Sequence, residues 1–366
     1  MGNHTNKIIY LAPDIDLSKN EGGKAHVLGE VKYLQKYYKQ VFLIVKNSKR
    51  NQLSSEYEAV KVFRIPGFLH LPYFRFWLEA SFFTILALIL RCCGYSALIE
   101  RSYRLGGIFS IRFRLAKGAV IYQLNEPIYY ESYLMPIQNL LIKIMGKLKI
   151  TFFGTHESFS YNLPKNQYVN GWRGVDYEKI KKFSGEKKKF DIIYIGSVAK
   201  RHSLDQVLAV IKDHPEWKFL FITSGYDPYL WKQKESNNLT NLSILQGLES
   251  DKVYSYLYQS KIGIALYEKN TDLLQKFDYC YSPIKVHEYK ACGLPVIASN
   301  IGNLKSLVKD CGMLINNSKE EIEESIGILL KNKELYNLYA KNAEKEAQLK
   351  YNWDVICKYY FTLLSK

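Results

Sequence analysis

The chain has 366 residues, 47% hydrophobic and 23% charged, a globular composition long enough for two domains. Disordered, collagen-like and small disulfide-built classes are excluded by it. Lys and Arg number 51 against 35 Asp and Glu, a net charge of +16, which calls for a polyanionic partner without choosing among nucleic acid, an anionic membrane and phosphorylated substrates.

Residues 7–12 are a short β-rich run, and the polar loop behind them ends in Glu21-Gly22-Gly23-Lys24. Val27, Leu28, Val31, Leu34 and Tyr38 recur at helical spacing and predict a helix over 25–38, with a strand at 41–45 next. Strand, Gly-rich loop, helix and strand in that order open a parallel α/β sheet. Further strands are expected at 97–100, 119–124 and 149–153, with a helix over 137–148. The Lys-dominated stretch 179–189 reads as part of a linker over 179–190, dividing an N-terminal domain of residues 1–178 from a C-terminal one of 191–348. The second series places strands at 191–195, 218–222, 242–245, 262–266 and 295–298, and helices at 204–212, 251–259 and 284–292. Helices at 318–331, 333–348 and 353–364 end the chain, residues 349–366 returning to the N-terminal domain. Two Rossmann-like domains are expected to face a central cleft, where ligands of such sheets bind.

Charge is unevenly spread. Residues 61–117 hold nine basic and two acidic side chains, 118–131 contribute −2, and 132–202 hold thirteen basic and five acidic, so 61–202 carries +13 of the +16. The start of the chain lacks the apolar core of a secretory signal. The six cysteines form no CxxC pair or zinc-spaced cluster and read as reduced, mostly buried thiols. Arg75 and Glu79 cut the apolar run before Leu90 to eleven residues, too short to span a bilayer, so a cytoplasmic or membrane-peripheral protein is expected. Residues 71–91 (Phe74, Phe76, Trp77, Phe82 and Phe83, flanked by Arg75 and Arg91) and 137–150 (with Lys143, Lys147 and Lys149) are apolar and basic together. They read either as interfacial helices on anionic lipid or as buried crossovers of a parallel sheet.

The most specific segment is SPIKVHEYKACGLPVIAS, residues 282–299. Ser282-Pro283 opens a helix with Pro283 at the first helical position. The amides of Ile284 and Lys285 and the Lys285 ammonium then form an anion site at the positive end of the helix dipole. Glu288, one turn on, suits a pair of ribose hydroxyls. This segment resembles the donor-binding signature of family-4-type glycosyltransferases of the GT-B fold, which reads roughly S-P-x-K-x-x-E-Y-x-A-x-G-x-P-V-I. The resemblance implies that Glu288 holds the ribose of a nucleotide sugar and that the helix start receives its diphosphate. The family's further Glu, eight positions earlier, is here Cys280, with Asp278 close by.

Three other runs fall in register with the family. Gly196-Ser-Val-Ala-Lys-Arg-His-Ser-Leu-Asp205 resembles its strand-loop G-R-L-x-x-x-K-G, with Ser197 and His202 standing where the Arg and Lys would be and Lys200 and Arg201 adjacent. Cations there neutralise the departing diphosphate without a metal, and the resemblance implies no cofactor. Gly22 and Gly23 match a first loop that lets the backbone approach donor phosphate or acceptor; they form neither a P-loop nor a dinucleotide fingerprint. His26 beside them reads as a packing residue. Leu98-Ile-Glu-Arg and Tyr122-Gln-Leu-Asn-Glu-Pro127, with Glu131, resemble the acceptor side. They make Asn125 and Glu131 acceptor contacts and Glu126 the catalytic base, with His156 in Gly154-Thr-His-Glu157, after another strand, as a second candidate on the acceptor side. Capping by these carboxylates, or pairing with Arg101 or Arg104, is the alternative.

The implied activity is retaining, hexosyltransferase-type transfer from a nucleotide diphosphate sugar to a saccharide acceptor. Charge and apolar surface together favour a lipid-linked acceptor in polysaccharide or glycan assembly, on the inner face of the cell membrane. Competing readings are an inverting GT-B transferase, a GT-B nucleotide-sugar epimerase, a non-catalytic GT-B subunit, and a nucleic-acid-binding protein. For the last, no helix-turn-helix, RNP or zinc-finger pattern is found.

Overall fold

A computed structural model describes residues 6–18, 22–46, 53–65, 75–103, 106–128, 135–197, 204–269 and 271–365, with 75–77 described for the backbone only. In chain order the first part runs β1 (Lys7–Ala12), α1 (Gly22–Leu34), β2 (Gln40–Val45), β3 (Val60–Arg64), α2 (Arg75–Cys92), β4 (Tyr95–Arg101), α3 (Ile108–Leu115), β5 (Ala119–Gln123), α4 (Met135–Lys147), β6 (Thr151–Gly154) and β7 (Tyr168–Asn170). Then follow α5 (Tyr177–Lys181), β8 (Phe190–Ile195), α6 (Leu204–Asp213), β9 (Phe219–Thr223), α7 (Pro228–Ser236), β10 (Leu242–Gln246), α8 (Ser250–Tyr258), β11 (Ser260–Ala265) and α9 (Asp272–Phe277). The chain closes with α10 (Ile284–Ala291), β12 (Val296–Ser299), α11 (Gly302–Val308), β13 (Gly312–Ile315), α12 (Lys319–Lys331), α13 (Lys333–Leu349) and α14 (Trp353–Leu364).

The chain divides into two compact units, Met1–Trp172 with Trp353–Lys366, and Arg173–Asn352. The first has a sheet ordered β3-β2-β1-β4-β5-β6-β7, the second one ordered β10-β9-β8-β11-β12-β13. All paired strands are parallel. Parallel strands covered by helices on both faces read as unbroken apolar runs, and residues 192–195, 219–222 and 262–265 of β8, β9 and β11 do so, every one of them buried. In each sheet the strand order reverses once, between β1 and β4 and between β8 and β11. In open parallel sheets the loops diverge at such a point, and ligands bind there at the carboxyl ends of the strands.

Each unit has its own core. In the first, α1 and α14 cover one sheet face, burying Val27, Val31, Trp353, Ile356 and Tyr360 with Tyr10 and Leu43. In the second, α6 and α12 bury Val207, Ile211, Ile322 and Ile326 against Ile192, Phe221 and Ile264. Helix starts in the second unit are capped by side chains that accept the orphan amides: Asp227 from Leu230 N (3.0 Å), Ser318 from Glu321 N (3.2 Å) and Asn332 from Leu335 N (3.0 Å).

Several boundaries differ from the sequence reading. The change of unit falls at Trp172/Arg173, ahead of 178, and the chain returns at Trp353, after 349. Val175 and Asn352 pair in parallel, and Val175 N donates to Tyr351 O at 2.8 Å, so the outgoing and returning segments are fastened to each other within the second unit. Residues 179–190 are not a free linker: part of the run is α5, and its lysines bond to the second unit. Lys179 pairs with Asp251 at 2.7 Å, Lys181 with Glu344, and Lys188 Nζ donates to Ser260 O at 2.5 Å. Gly22 and Gly23, expected in a loop, are the first turn of α1, and the helix ends at Leu34 rather than Tyr38. Edge strands β3 and β7, strand β13, and the short helices α7, α9 and α11 were not anticipated. All are brief, and β3 and β7 are only half-buried, which blurs the apolar period.

Candidate functional site

In the second unit the donor-type residues gather at the point where the strand order reverses. Gly196 follows β8, Tyr267 lies just beyond the end of β11, and α10 carries Lys285 and Glu288. Gly196 has φ +136°, and a Cβ there would stand 2.9 Å from Lys285 Nζ. Only glycine combines that backbone with so close an ammonium. Lys285 Nζ also sits over the rings of Tyr194, 4.2 Å from the centroid, and Tyr267, 5.3 Å away. Two ring faces and a bare glycine thus hold the cation at the carboxyl end of the sheet.

Glu288 stands one turn along the same helix face, half-buried. Burial pushes its carboxyl up to about 7, with the Lys285 charge pulling the other way. No hydrogen bond or ion pair engages this carboxylate among the described residues, so its acceptor capacity is unspent. Helix α10 itself is rigidly fixed. Tyr289 OH receives Ile195 N at 3.0 Å and donates to Ile264 O at 3.2 Å, linking the helix to β8 and β11. A Cβ on Gly263 would collide with that ring at 2.5 Å. On the far side, buried Lys290 donates to Leu307 O at 2.8 Å and pairs with Glu346 of α13.

The helix start departs from expectation in two ways. Pro283 is the N-cap, extended at φ −68° and ψ 128°, and Ile284 is the first helical residue; the first intrahelical bond is Val286 N to Pro283 O at 3.1 Å. Ser282 does not cap the helix: its Oγ is 2.7 Å from Nε2 of His287. His287 is fully buried and packs on Tyr351 at 4.5 Å; burial, reinforced by the charges of Lys290, Arg173 and Lys350, holds it well below its ordinary value and hence neutral. Ahead of the helix, Cys280 is completely buried. Asp278, with φ +57°, is tied to Lys269 at 2.8 Å, and this pairing lowers its carboxyl although burial acts to raise it. Gly302 and Asn303 of α11 pin this loop: Asn303 N donates to Tyr279 O at 2.6 Å, and a Cβ on Gly302 would meet that oxygen at 2.2 Å.

In the first unit Asn125 and Glu126 follow β5. Asn125 Nδ2 donates to Ser102 O at 3.0 Å, which fixes the loops beyond β4 and β5 to each other. Glu126 is exposed. Glu100 turns out to be a cap. It is fully buried and accepts from Gly107 N, Ser110 N and Ser110 Oγ at 2.6–2.8 Å, and burial still raises it to about 7 against those bonds. His156 Nδ1 accepts from Ser158 N at 3.3 Å and lies 2.8 Å from Ser158 Oγ, capping a short 3-10 turn; the neutral ring therefore carries its proton on Nε2. His26 Nδ1 is 2.7 Å from an Arg101 nitrogen, and its ring meets Trp353 edge-on at 4.8 Å, a packing role as expected. Gly22 is exposed and Gly23 lies against Ile15. Glu131, Lys200, Arg201 and His202 lie outside the described residues.

Sequence reasoning thus places Gly196, Lys285 and Glu288 in one site, while Ser282 is turned to His287. It missed Tyr194, Tyr267, Gly302 and Asn303. A tyrosine among the isoleucines of β8 and another just beyond β11 were the only signals available.

Residues 176–346 match the family described as glycosyl transferases group 1. An uncharacterized glycosyltransferase of Methanocaldococcus jannaschii is 23% identical over 347 residues, covering 85% of this chain and 86% of that one. In fold, the chain is similar to the Anabaena protein HepE solved with UDP (TM-score 0.74, 14% identity, covering 98% of this chain and 99% of that one). Sucrose-phosphate synthase from Thermosynechococcus elongatus is comparably close (TM-score 0.73, 14% identity, 98% of each chain). Residues 176–346 thus carry the signature of the group 1 glycosyl transferases, on a chain that shares the GT-B fold along nearly its whole length.

Proposed function

We propose that this enzyme transfers a hexose from a nucleotide diphosphate sugar, bound at the second unit, to a saccharide acceptor served by the first unit. The observation that carries the reading is the juxtaposition of Lys285, Gly196 and Glu288 at the crevice of the second sheet. Glu288 accepts hydrogen bonds from the two ribose hydroxyls, and Lys285 with the start of α10 binds the diphosphate. The HepE structures with UDP and with UDP-glucose make a uridine nucleotide the first donor to try.

Transfer proceeds with retention and without a metal. The bond between the anomeric carbon and the diphosphate oxygen breaks while the acceptor oxygen bonds to the same face. The acceptor's proton passes to the departing diphosphate; in this reading Lys285, Lys200 and Arg201 balance its charge, and His202 is a further donor-binding residue. In this reading Glu126 assists that proton, Asn125, Glu131 and His156 are acceptor contacts, and Gly22 and Gly23 give backbone access. The +13 held by residues 61–202 supports a lipid-linked saccharide as acceptor, at the inner face of the cell membrane, in polysaccharide or glycan assembly.

A thermal-shift panel of UDP-, GDP- and dTDP-sugars on wild type and Glu288→Ala tests the donor site. One nucleotide sugar is expected to raise the wild-type melting temperature. The variant should lose about 1–3 kcal/mol of that binding, the worth of hydrogen bonds to a charged group. A variant that binds as wild type does removes the ribose assignment. The anomeric configuration of the product separates retention from inversion.

A further inference from the structure

Helices α2, α3 and α4 lie on the sheet face opposite α1 and α14 and form one layer. Phe83 of α2 packs edge-on against Phe109 of α3 at 5.8 Å, Arg91 stacks on Phe113 at 5.4 Å, and Met145 of α4 abuts Gly107 at the start of α3. Their inner sides satisfy the crossover reading of these segments. Their outer sides do not resemble an ordinary solvated surface. Of the twelve large apolar side chains exposed among the described residues, six stand on this layer: Ile85, Leu88, Ile89, Leu115, Ile137 and Leu140. Ile85, Leu88 and Ile89 are 60%, 50% and 53% exposed, and with Cys92 they repeat at helical spacing along the outward stripe of α2.

Among the described residues, the charges exposed on these helices and the turns that end them have one sign. Arg112, Lys117, Lys143, Lys147 and Lys149 are exposed, whereas the described acids of α2 and β4, Glu79 and Glu100, are buried. Exposed apolar side chains gathered on one layer in this number mark an interaction surface. Its basic rim narrows the partner to something both anionic and apolar. A phosphodiester chain supplies the charge but has no use for outward Ile and Leu. A second copy meeting this face across a two-fold axis would bring like charges together. A bilayer with anionic headgroups meets both requirements, and no described helix is long and apolar enough to cross one.

We propose that the α2–α4 layer is the face by which the protein lies on an anionic membrane. Ile85, Leu88, Ile89 and Leu140 enter the headgroup–acyl boundary, while Arg112, Lys117, Lys143 and Lys147 meet the headgroups. The inference rests on the membrane-borne acceptor proposed above and adds the surface that meets the lipid.

The test is co-sedimentation of the full chain with vesicles of phosphatidylcholine, with or without phosphatidylglycerol. Wild type should bind the anionic vesicles at least about ten-fold more tightly and release at about 0.5 M salt. I85S/L88S/I89S and, separately, K143E/K147E should each weaken binding about ten-fold or more, the first by losing buried apolar area and the second by losing headgroup contacts. Leu338→Ser, an exposed apolar residue of the second unit, should change nothing. All these sites are exposed, so far-UV circular dichroism and the nucleotide thermal shift should be preserved. Triple-serine protein that binds like wild type overturns this face while leaving the membrane-borne acceptor standing. Wild type that ignores both vesicle types overturns both, with the donor site judged separately by the thermal shift. A dimer in sedimentation velocity that the triple variant disperses makes the face a contact between copies and overturns the proposal.

Discussion

Glu288 shows how a half-buried carboxylate is held at a cost to stability. Its carboxyl is raised from an ordinary 4.5 to about 7, mainly by burial. Between those two values the unfolded chain has released the proton and the folded chain retains it, so the contribution to stability falls as pH rises through that window and stays low above about 7. Glu288→Gln removes the ionisation while keeping the shape. Ligand-free Glu288→Gln should match wild type near pH 4.5 and exceed it at pH 8, by about 3 kcal/mol at most. Urea titrations of both proteins at the two pH values decide this, and equal stability at pH 8 would refute it. Glu100 carries a similar raised value in both proteins and cancels in the difference. These two carboxylates also mark the limit of motif reading: alike as letters, one spends its lone pairs on the start of α3 and the other keeps them.

At the scale of elements, the first unit depends on α14 lying closely on α1. A Cβ at Gly29 would fall 2.2 Å from Trp353 Nε1. Below that contact, Glu30 accepts from Gln123 Nε2 at 2.7 Å and Tyr360 OH at 2.8 Å, and Tyr10 OH bonds to it as well. A fully satisfied buried network of this kind specifies one seat for the helix. Gly29→Ala should force the indole aside and cost about 1–3 kcal/mol by overpacking. The variant should be cut faster by protease near residue 352, where the chain returns to α14. Unchanged cleavage and melting would mean that α14 adapts freely. That Gly29 needs to be small is invisible in the sequence, where it sits at an ordinary helical position.

At the scale of the whole molecule, the two units have separate cores, and Gly196, Lys285 and Glu288 of the proposed donor site all belong to the second. Calorimetry should resolve two unfolding transitions. A saturating nucleotide sugar should shift only the one belonging to the second unit, by about 2.7 kcal/mol when present about 100-fold above its dissociation constant. One cooperative transition that moves as a whole with ligand would contradict this. The concentration of charge in residues 61–202 also resolves at this scale: Lys179, Lys181 and Lys188 bond within the second unit, whereas Arg112 of α3 and Lys143 and Lys147 of α4 are exposed.

The sequence alone determined the alternation of strands and helices, the two parallel sheets and the helix bearing Lys285 and Glu288, because apolar periodicity and a three-residue spacing are local properties. Edge strands β3 and β7 escaped for the same reason, half-burial leaving no clear period. Tertiary structure alone decided which distant residues meet. Gly196 touches Lys285 because β8 and β11 are neighbours while the chain between them builds the other half of the sheet. Ser282 belongs to His287 because the loop before α10 is drawn in by Gly302 and Asn303. The basic, apolar outer face of α2–α4 exists because packing on the sheet uses one side of each helix and leaves the other unspent. Strand order and packing are sums over the whole chain, and no short segment contains them.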